Sequence, residues 1–257
     1  DGYRFIEPSE GYLACGYVGK GRLEEPEKIT ALVQQYFMPK KQPLKGKKVV
    51  VSAGPTRERV DPVRFLTNFS TGKMGYAMAE AARDLGADVV LVSGPTNLPK
   101  PTGMKVIDVE SAQEMFDAIW AQYESANIVI KTAAVADYRP KNTHGQKMKK
   151  KPGDAVLELE RTTDILATLG ANKAHQLLIG FAAETNDVED YGTQKLQKKN
   201  ADYIVANDVT EEGSGFGTDT NSVILIGHDY KQKFAQLPKK ELALRLLETI
   251  AEREDFK

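Results

Sequence analysis

The chain is poor in residues that stabilise a fold by cross-linking or metal binding. A single cysteine, Cys15, among 257 residues excludes a disulfide framework and a cysteine-rich zinc site. The three histidines, His144, His175 and His228, have no metal-ligand spacing and read as surface residues. No apolar run approaches the roughly 20 residues that span a bilayer, so no membrane partner is expected. Neither sign of charge dominates: 35 Lys and Arg against 36 Asp and Glu leave a net charge of -1. A global basic field is therefore missing, and with it the usual footprint of a nucleic-acid partner. The first residues, DGYRFIEPSEG, contain no apolar signal core, and a cytoplasmic protein is the expectation.

What is present is an ordinary globular composition, 41% hydrophobic and 28% charged. A chain of this length buries roughly 73% of its unfolded surface, enough for a core that needs no staples. Short β-branched runs alternate with helical patterns. Residues 47–54, KKVVVSAG, read as a buried strand closed by a Gly-Pro turn. Residues 72–85 carry Met74, Ala77, Met78, Ala81, Ala82 and Leu85 on one helical stripe, with Gly86 as the stop. Strands follow at 87–95 and 104–110, then a helix capped by Ser111 and running through Trp120. Residues 127–134, 176–184 and 202–208 are further strands, the last two separated by a polar helix ending near 200. Strands this apolar, alternating with helices, imply a mostly parallel sheet covered on both faces, a Rossmann-like doubly wound α/β fold. Residues 221–227 and 231–237 read as an antiparallel edge before a closing helix.

Two regions break the rhythm. Residues 139–151, RPKNTHGQKMKKK, hold six basic residues and no acid, and read as a mobile basic flap. Residues 8–22, PSEGYLACGYVGKGR, are too glycine-rich for a strand or helix; a helix over 26–37 and a proline-punctuated linker follow. The first 42 residues are too short for a domain and look like the end of something truncated.

In an open parallel sheet, ligands bind beyond the carboxyl ends of the strands. After the first strand, with Gly54 at its end, the run SAGPTRERVDPVRFLTNFSTGKMG feeds into a helix whose free N–H groups and positive dipole end suit an anion. Ser70 and Gly72 belong to this entry, which reads equally as a plain cap with glycines for close packing. The Gly72-Lys73 pair is not a Walker A motif, because Thr67 and Met74 stand where glycine and Ser/Thr are needed. No G-x-G-x-x-G fingerprint follows the first strand, which removes the support for an NAD(P) reductase. Asp137, after the strand ending at Ala134, suits either a loop cap or Mg²⁺ held through one carboxylate and phosphate oxygens. The flap lysines suit a solvated face or a cationic lid over polyphosphate. Lys195, Lys198 and Lys199 lie at a helix C-terminus, where the dipole alone accounts for them. Nothing near Cys15 in sequence depresses its pKa.

From about residue 43 to 253, the motifs SAGPTRERVDPVRFLTNFSTGKMG, LVSGP, AAVADYRP, KMKK, GFAAET and QKLQKKNADYIVAND, in this order and spacing, resemble the phosphopantothenoylcysteine synthetase (phosphopantothenate–cysteine ligase) family. The stretch EGYLACGYVGKGRLEEP resembles the end of the flavin-dependent phosphopantothenoylcysteine decarboxylase, to which the ligase is commonly fused in bacteria. The resemblance implies two units, a decarboxylase remnant with linker over 1–42 and a ligase domain over 43–257. It also implies a reaction: 4′-phosphopantothenate is activated by CTP with Mg²⁺ to an acyl cytidylate, releasing pyrophosphate, and L-cysteine then displaces CMP. Stand-alone eukaryotic relatives resemble ATP users, so ATP is the alternative, and a non-catalytic nucleotide-binding domain a further one.

Carried over by position, Asn68 is the essential asparagine that holds and polarises the acyl group, and Lys147 the flap lysine that contacts the nucleotide phosphate. Asp137 lies near the metal and nucleotide. Lys131, Thr132, Ala133, Phe181, Lys195 and Lys199 fall on nucleotide-binding positions, as do Thr163, Asp164, Ile165 and Leu166, where relatives often have Asn-Pro-Asp-Ile. Cys15 aligns with the decarboxylase's proton-donating cysteine; FMN is expected only with the intact bifunctional protein. The resemblance further implies a homodimer.

Overall fold

The computed structural model describes residues 5–12, 16–37, 41–150, 152–153, 155–184, 186–208, 215 and 217–255. The chain divides into two compact units, Asp1–Lys41 and Gln42–Lys257. In the first, β1 (Ser9–Tyr12) pairs antiparallel with β2 (Val18–Arg22), and α1 (Pro26–Phe37) follows with proline at its first position. The glycine-rich stretch is therefore a hairpin, contrary to expectation. Pairing uses backbone groups, and Gly11 faces Gly19 across the ladder, so neither strand needs a side chain there.

The second unit runs β3 (Lys48–Ala53), β4 (Arg57–Arg59), β5 (Phe65–Thr67), α2 (Lys73–Asp84), β6 (Asp88–Ser93), β7 (Lys105–Asp108), α3 (Ala112–Tyr123) and β8 (Ile128–Lys131). It continues with β9 (Tyr138–Pro140), β10 (Leu159–Arg161), α4 (Ile165–Ala171), β11 (Leu177–Glu184), α5 (Val188–Lys198), β12 (Tyr203–Asp208), β13 (Thr220–Gly227), β14 (Tyr230–Pro238) and α6 (Lys239–Arg253). One eight-stranded sheet has the order β14-β13-β12-β11-β8-β3-β6-β7. The pairs from β12 through β7 are parallel, and β13 and β14 add an antiparallel edge. The fold is thus the doubly wound α/β architecture expected from the alternation.

Period-2 geometry explains why the strands are apolar throughout. Val49, Val51 and Ala53 of β3 join one core with α2 and α6, while Val50 joins the opposite core with α3. The same sorting sends Leu91 and Ile130 to the first core and Val92 and Val129 to the second. Helix α3 begins with a complete capping box between Ser111 and Glu114. Two small pairs lie outside the main sheet: the β4–β5 hairpin and the β9–β10 pair, which the sequence pattern did not announce. Among the described residues, no helix is long and apolar enough to cross a membrane.

Helix α2 approaches the end of β3 closely. A Cβ added to Gly75 would stand 2.5 Å from Ala53 Cβ and 3.1 Å from the Ser52 carbonyl oxygen. Gly75→Ala should destabilise the fold by about 1–3 kcal/mol through overpacking, read as a lower midpoint in urea unfolding.

Candidate active site

A cavity of about 310 Å³ opens at the carboxyl ends of β3, β8, β11 and β12, where a doubly wound sheet places its ligand. One wall is the entry to α2. Gly72, at the cap, has a φ of 79° and no side-chain hydrogen bond to the helix, and Gly54 at the end of β3 has a φ of 78°. Both lie in the left-handed region that glycine adopts without strain. They also face each other: a Cβ on Gly72 would lie 3.3 Å from the Gly54 Cα. Only this side-chain-free meeting brings the first N–H groups of α2, which have no partner inside the helix, to the cavity. Ser70 lines the same wall, its Oγ accepting from the Gly72 N–H at 3.4 Å.

Asn68, directly after β5, lines the mouth of the cavity and is exposed. Its Nδ2 donates to the carbonyls of Ala134 at 3.2 Å and Val135 at 3.1 Å. That pairing orients the amide so that it presents Oδ1, an acceptor. Polarising an acyl oxygen requires a donor, so that expected role needs Nδ2 to leave a backbone carbonyl.

The second wall is cationic. Lys131 ends β8 and Thr132 and Ala133 follow it, with Phe181 from β11 and Lys195 from α5. Lys131 is partly buried, and its Nζ donates to the Ala133 carbonyl at 2.7 Å. Burial, and next the nearby Lys195, pull its ammonium down from the ordinary 10.5 to about 8, against Asp164 and Asp137, which favour the charge. Lys199 pairs with Asp164. Burial raises the Asp164 carboxyl, but Lys199 and the Ala167 N–H outweigh it and hold it below its usual value. Asp137 stands exposed at the cavity. Among the described residues no group of three or more His, Cys, Asp or Glu could hold a metal ion. One carboxylate is the donor set that Mg²⁺ accepts when phosphate and water supply its other oxygens.

Other expected positions lie off the cavity. Asp164 caps α4, accepting from the Ala167 N–H at 3.0 Å. Ile165 and Leu166 are buried in the core between α4 and the sheet, so their side chains are not available to a nucleotide. Thr163 and Lys147 are exposed and do not line it. Cys15 lies outside the described residues.

The sequence reading missed a third wall. Lys73 donates to the Gly217 carbonyl at 3.1 Å and pairs with Asp219 at 2.7 Å. Lys239, 5% exposed, donates to the carbonyls of Gly215 at 2.8 Å and Thr218 at 2.6 Å. Burial and then Lys73 push its ammonium below the ordinary lysine value. Asn207 and Asn221 complete this wall. Asn221 Oδ1 and Thr132 Oγ1, both in cavity-lining residues, are buried with no hydrogen-bond partner among the described residues. Orphaned buried polar atoms are rare in folded proteins, and both of these belong to residues around one cavity. The sequence signal was thin, because Lys73 meets Asp219 across 146 positions.

These features define an α/β domain with an anion-attracting crevice at the end of a parallel sheet. The family model of the DNA/pantothenate metabolism flavoprotein C-terminal domain matches residues 44–253, and the chain belongs to that family. It is 56% identical over 254 residues to the coenzyme A biosynthesis bifunctional protein CoaBC of Bacillus subtilis (strain 168), covering 98% of this chain and 63% of that protein. The corresponding protein of Vibrio parahaemolyticus is 47% identical over 248 residues, covering 95% of this chain and 62% of the relative. The chain thus spans about three-fifths of the curated relatives it matches. The solved C-terminal domain of a CoaBC protein shares 50% identity at a TM-score of 0.73, covering 84% of this chain and all of that one.

Lys131 yields a stability test. Its folded-state pKa is depressed, so the cation carries a folding penalty that is complete below about pH 8 and fades as the pH rises toward 10.5. Lys131→Met should exceed the wild type in stability at pH 7, and the gap should narrow between pH 8 and 10.5, as read by urea unfolding.

Proposed function

We propose that this chain is the ligase part of a bifunctional coenzyme A biosynthesis protein, joining 4′-phosphopantothenate to L-cysteine at the expense of CTP. The observation that carries the reading is the convergence on one cavity of the α2 N-terminus, Lys131, Lys195, Asp137 and Asn68. A carboxylate is inert as an acyl donor until it bears a good leaving group. Activation must therefore bring two anions together, the carboxylate and the nucleotide, and cations have to screen them.

In the first step a carboxylate oxygen of 4′-phosphopantothenate attacks the α-phosphorus of CTP. The P–O bond to pyrophosphate breaks, leaving an acyl cytidylate. The α2 N–H groups, Lys131 and Lys195 offset the charge of the phosphates, and the flap brings Lys147 to the same group. Mg²⁺, held by Asp137 and phosphate oxygens, would supply further charge neutralisation. In the second step the cysteine amine attacks the acyl carbon, the C–O bond to CMP breaks, and the amine gives up a proton. Asn68 orients this attack, with Oδ1 available to accept an N–H of the incoming amine. Backbone groups around Ala133 and Phe181 read the base. Residues 1–42 belong to the tail of a decarboxylase unit, where Cys15 and FMN act in the intact protein.

We also propose a homodimer seated on the apolar residues around the β4–β5 hairpin and the β9–β10 pair. Phe69 is 95% exposed and Val63 59%, with Phe65, Tyr138, Leu157 and Leu159 also exposed. Their concentration around these two pairs supports an interface there. Sedimentation should give a dimer, and Val63→Asp with Phe69→Asp should shift it to monomer.

The activity test is pyrophosphate release with Mg²⁺ and 4′-phosphopantothenate, comparing CTP with ATP. Release with CTP alone is expected; release only with ATP overturns the base assignment and keeps the mechanism. Asn68→Asp loses the Nδ2 donors to the Ala134 and Val135 carbonyls, so the side chain is misplaced and product formation should fall by about 100-fold while nucleotide still binds.

A further inference from the structure

The basic flap is not free along its length. His144 N–H donates to the Val60 carbonyl at 3.0 Å, and Thr143 Oγ1 to the Arg59 carbonyl at 3.4 Å. The strongest hold falls on Met148, the residue after Lys147. Its N–H donates to Asp61 Oδ2 at 3.0 Å, and its carbonyl accepts from Arg64 Nη2 at 3.2 Å. Asp61 and Arg64 lie in the turn between β4 and β5, so the flap is laid along that turn.

Asp61 is built for two tasks. Its side chain is 0% exposed. Oδ1 closes the turn locally, accepting from the N–H groups of Val63 and Arg64, both at 2.8 Å. Oδ2 faces Arg64 and the flap, accepting from Arg64 Nε at 3.0 Å, Arg64 Nη2 at 2.5 Å and the Met148 N–H. A buried carboxylate surrounded by donors of this number stays ionised: the Arg64 guanidinium, together with the backbone N–H groups, holds its carboxyl far below the usual range. The same hairpin delivers Asn68, which follows β5 directly and is tied to the exit of β8. One turn therefore sets both the asparagine at the cavity and the flap backbone beside Lys147.

We propose that Asp61 is a positioning residue for the ligase reaction: through the Met148 N–H it anchors the flap backbone beside Lys147, which lies off the cavity here, and so sets the fixed point from which the flap carries Lys147 to the nucleotide phosphates. The anchor itself stands on geometry alone; its catalytic consequence rests on the ligase reading. The two oxygens make the idea separable from folding. Asp61→Asn keeps an acceptor for the turn, where asparagine is well suited, but sets an NH₂ group against the Met148 N–H and Arg64. Met148→Pro leaves the Asp61 side chain in place and removes the N–H that reaches the carboxylate, with the added restraint that proline puts on its own φ and on the backbone of Lys147.

The experiment compares the full chain with Asp61→Asn, Met148→Pro, Lys147→Gln and the Asp61→Asn/Lys147→Gln pair, each checked for a cooperative thermal transition. Two readouts are taken: the rate of tryptic cleavage after Lys149 and Lys150, sites that every variant retains, and the kcat and KM of pyrophosphate release. Asp61→Asn and Met148→Pro should each speed flap cleavage. Each should also lower kcat by up to about 100-fold, the scale of a misplaced catalytic group. In the Lys147→Gln background Asp61→Asn should cost little more, because both changes remove the same contribution. Unchanged cleavage in both single variants overturns the anchor. Losses that multiply in the pair show that Asp61 acts elsewhere and overturn the positioning role. A wild type that releases no pyrophosphate defeats the ligase reading and the catalytic consequence together, while the cleavage rates still decide the anchor.

Discussion

The structure depends on one close approach, the meeting of the α2 N-terminus with the end of β3 through Gly54, Gly72 and Gly75. Side chains at these positions would hold the helix away from the strand, and the helix N–H groups would no longer reach the crevice. Everything else at the site is arranged around that fixed edge. The strand ends of β8, β11 and β12 follow from the sheet register, and the hairpin carrying Asn68 leaves β3 and returns to the same helix. Packing that looks purely structural therefore decides where negative charge can be received.

Much of the architecture was legible because burial on both faces leaves a strong mark. Strands such as VVV of β3 and IVI of β8 must satisfy two cores at once, and the sorting of Val49 and Val50 to opposite sides is the reason no polar alternation interrupts them. The capping of α3 by Ser111 was legible for an equally local reason. The β4–β5 and β9–β10 pairs and the seven-residue α4 were not. Each is too short to develop a period, and each is stabilised by what it touches in space. The β1–β2 hairpin was misread because glycine content speaks to side-chain packing and says little about a ladder made of backbone groups.

The candidate site divides along the same line. Lys131 and Ala133 came from the family resemblance, and Asp137, in the loop after β8, could be placed from the topology rule for parallel sheets. Lys73, Lys239 and Asn221 could not, since their contacts join distant parts of the chain and the rule says nothing about the far wall. Ile165 and Leu166, in a segment that resemblance assigns to the nucleotide, commit their side chains to the core and leave only backbone groups for such a role. Two cations here, Lys131 and Lys239, sit where burial disfavours their charge.

The pairing of β9 with β10 has a consequence for the cost of ordering the flap. Pro140 lies directly opposite Leu159, so the long excursion between them leaves and re-enters the fold at one point. Closing a loop is expensive chiefly in the entropy of bringing its ends together, and that term grows only slowly with length. Here folding has met that cost before any ligand arrives. Loop closure therefore adds little to the cost of ordering the excursion, and its hold on the scaffold rests on the contacts of Thr143, His144 and Met148 with the β4–β5 hairpin.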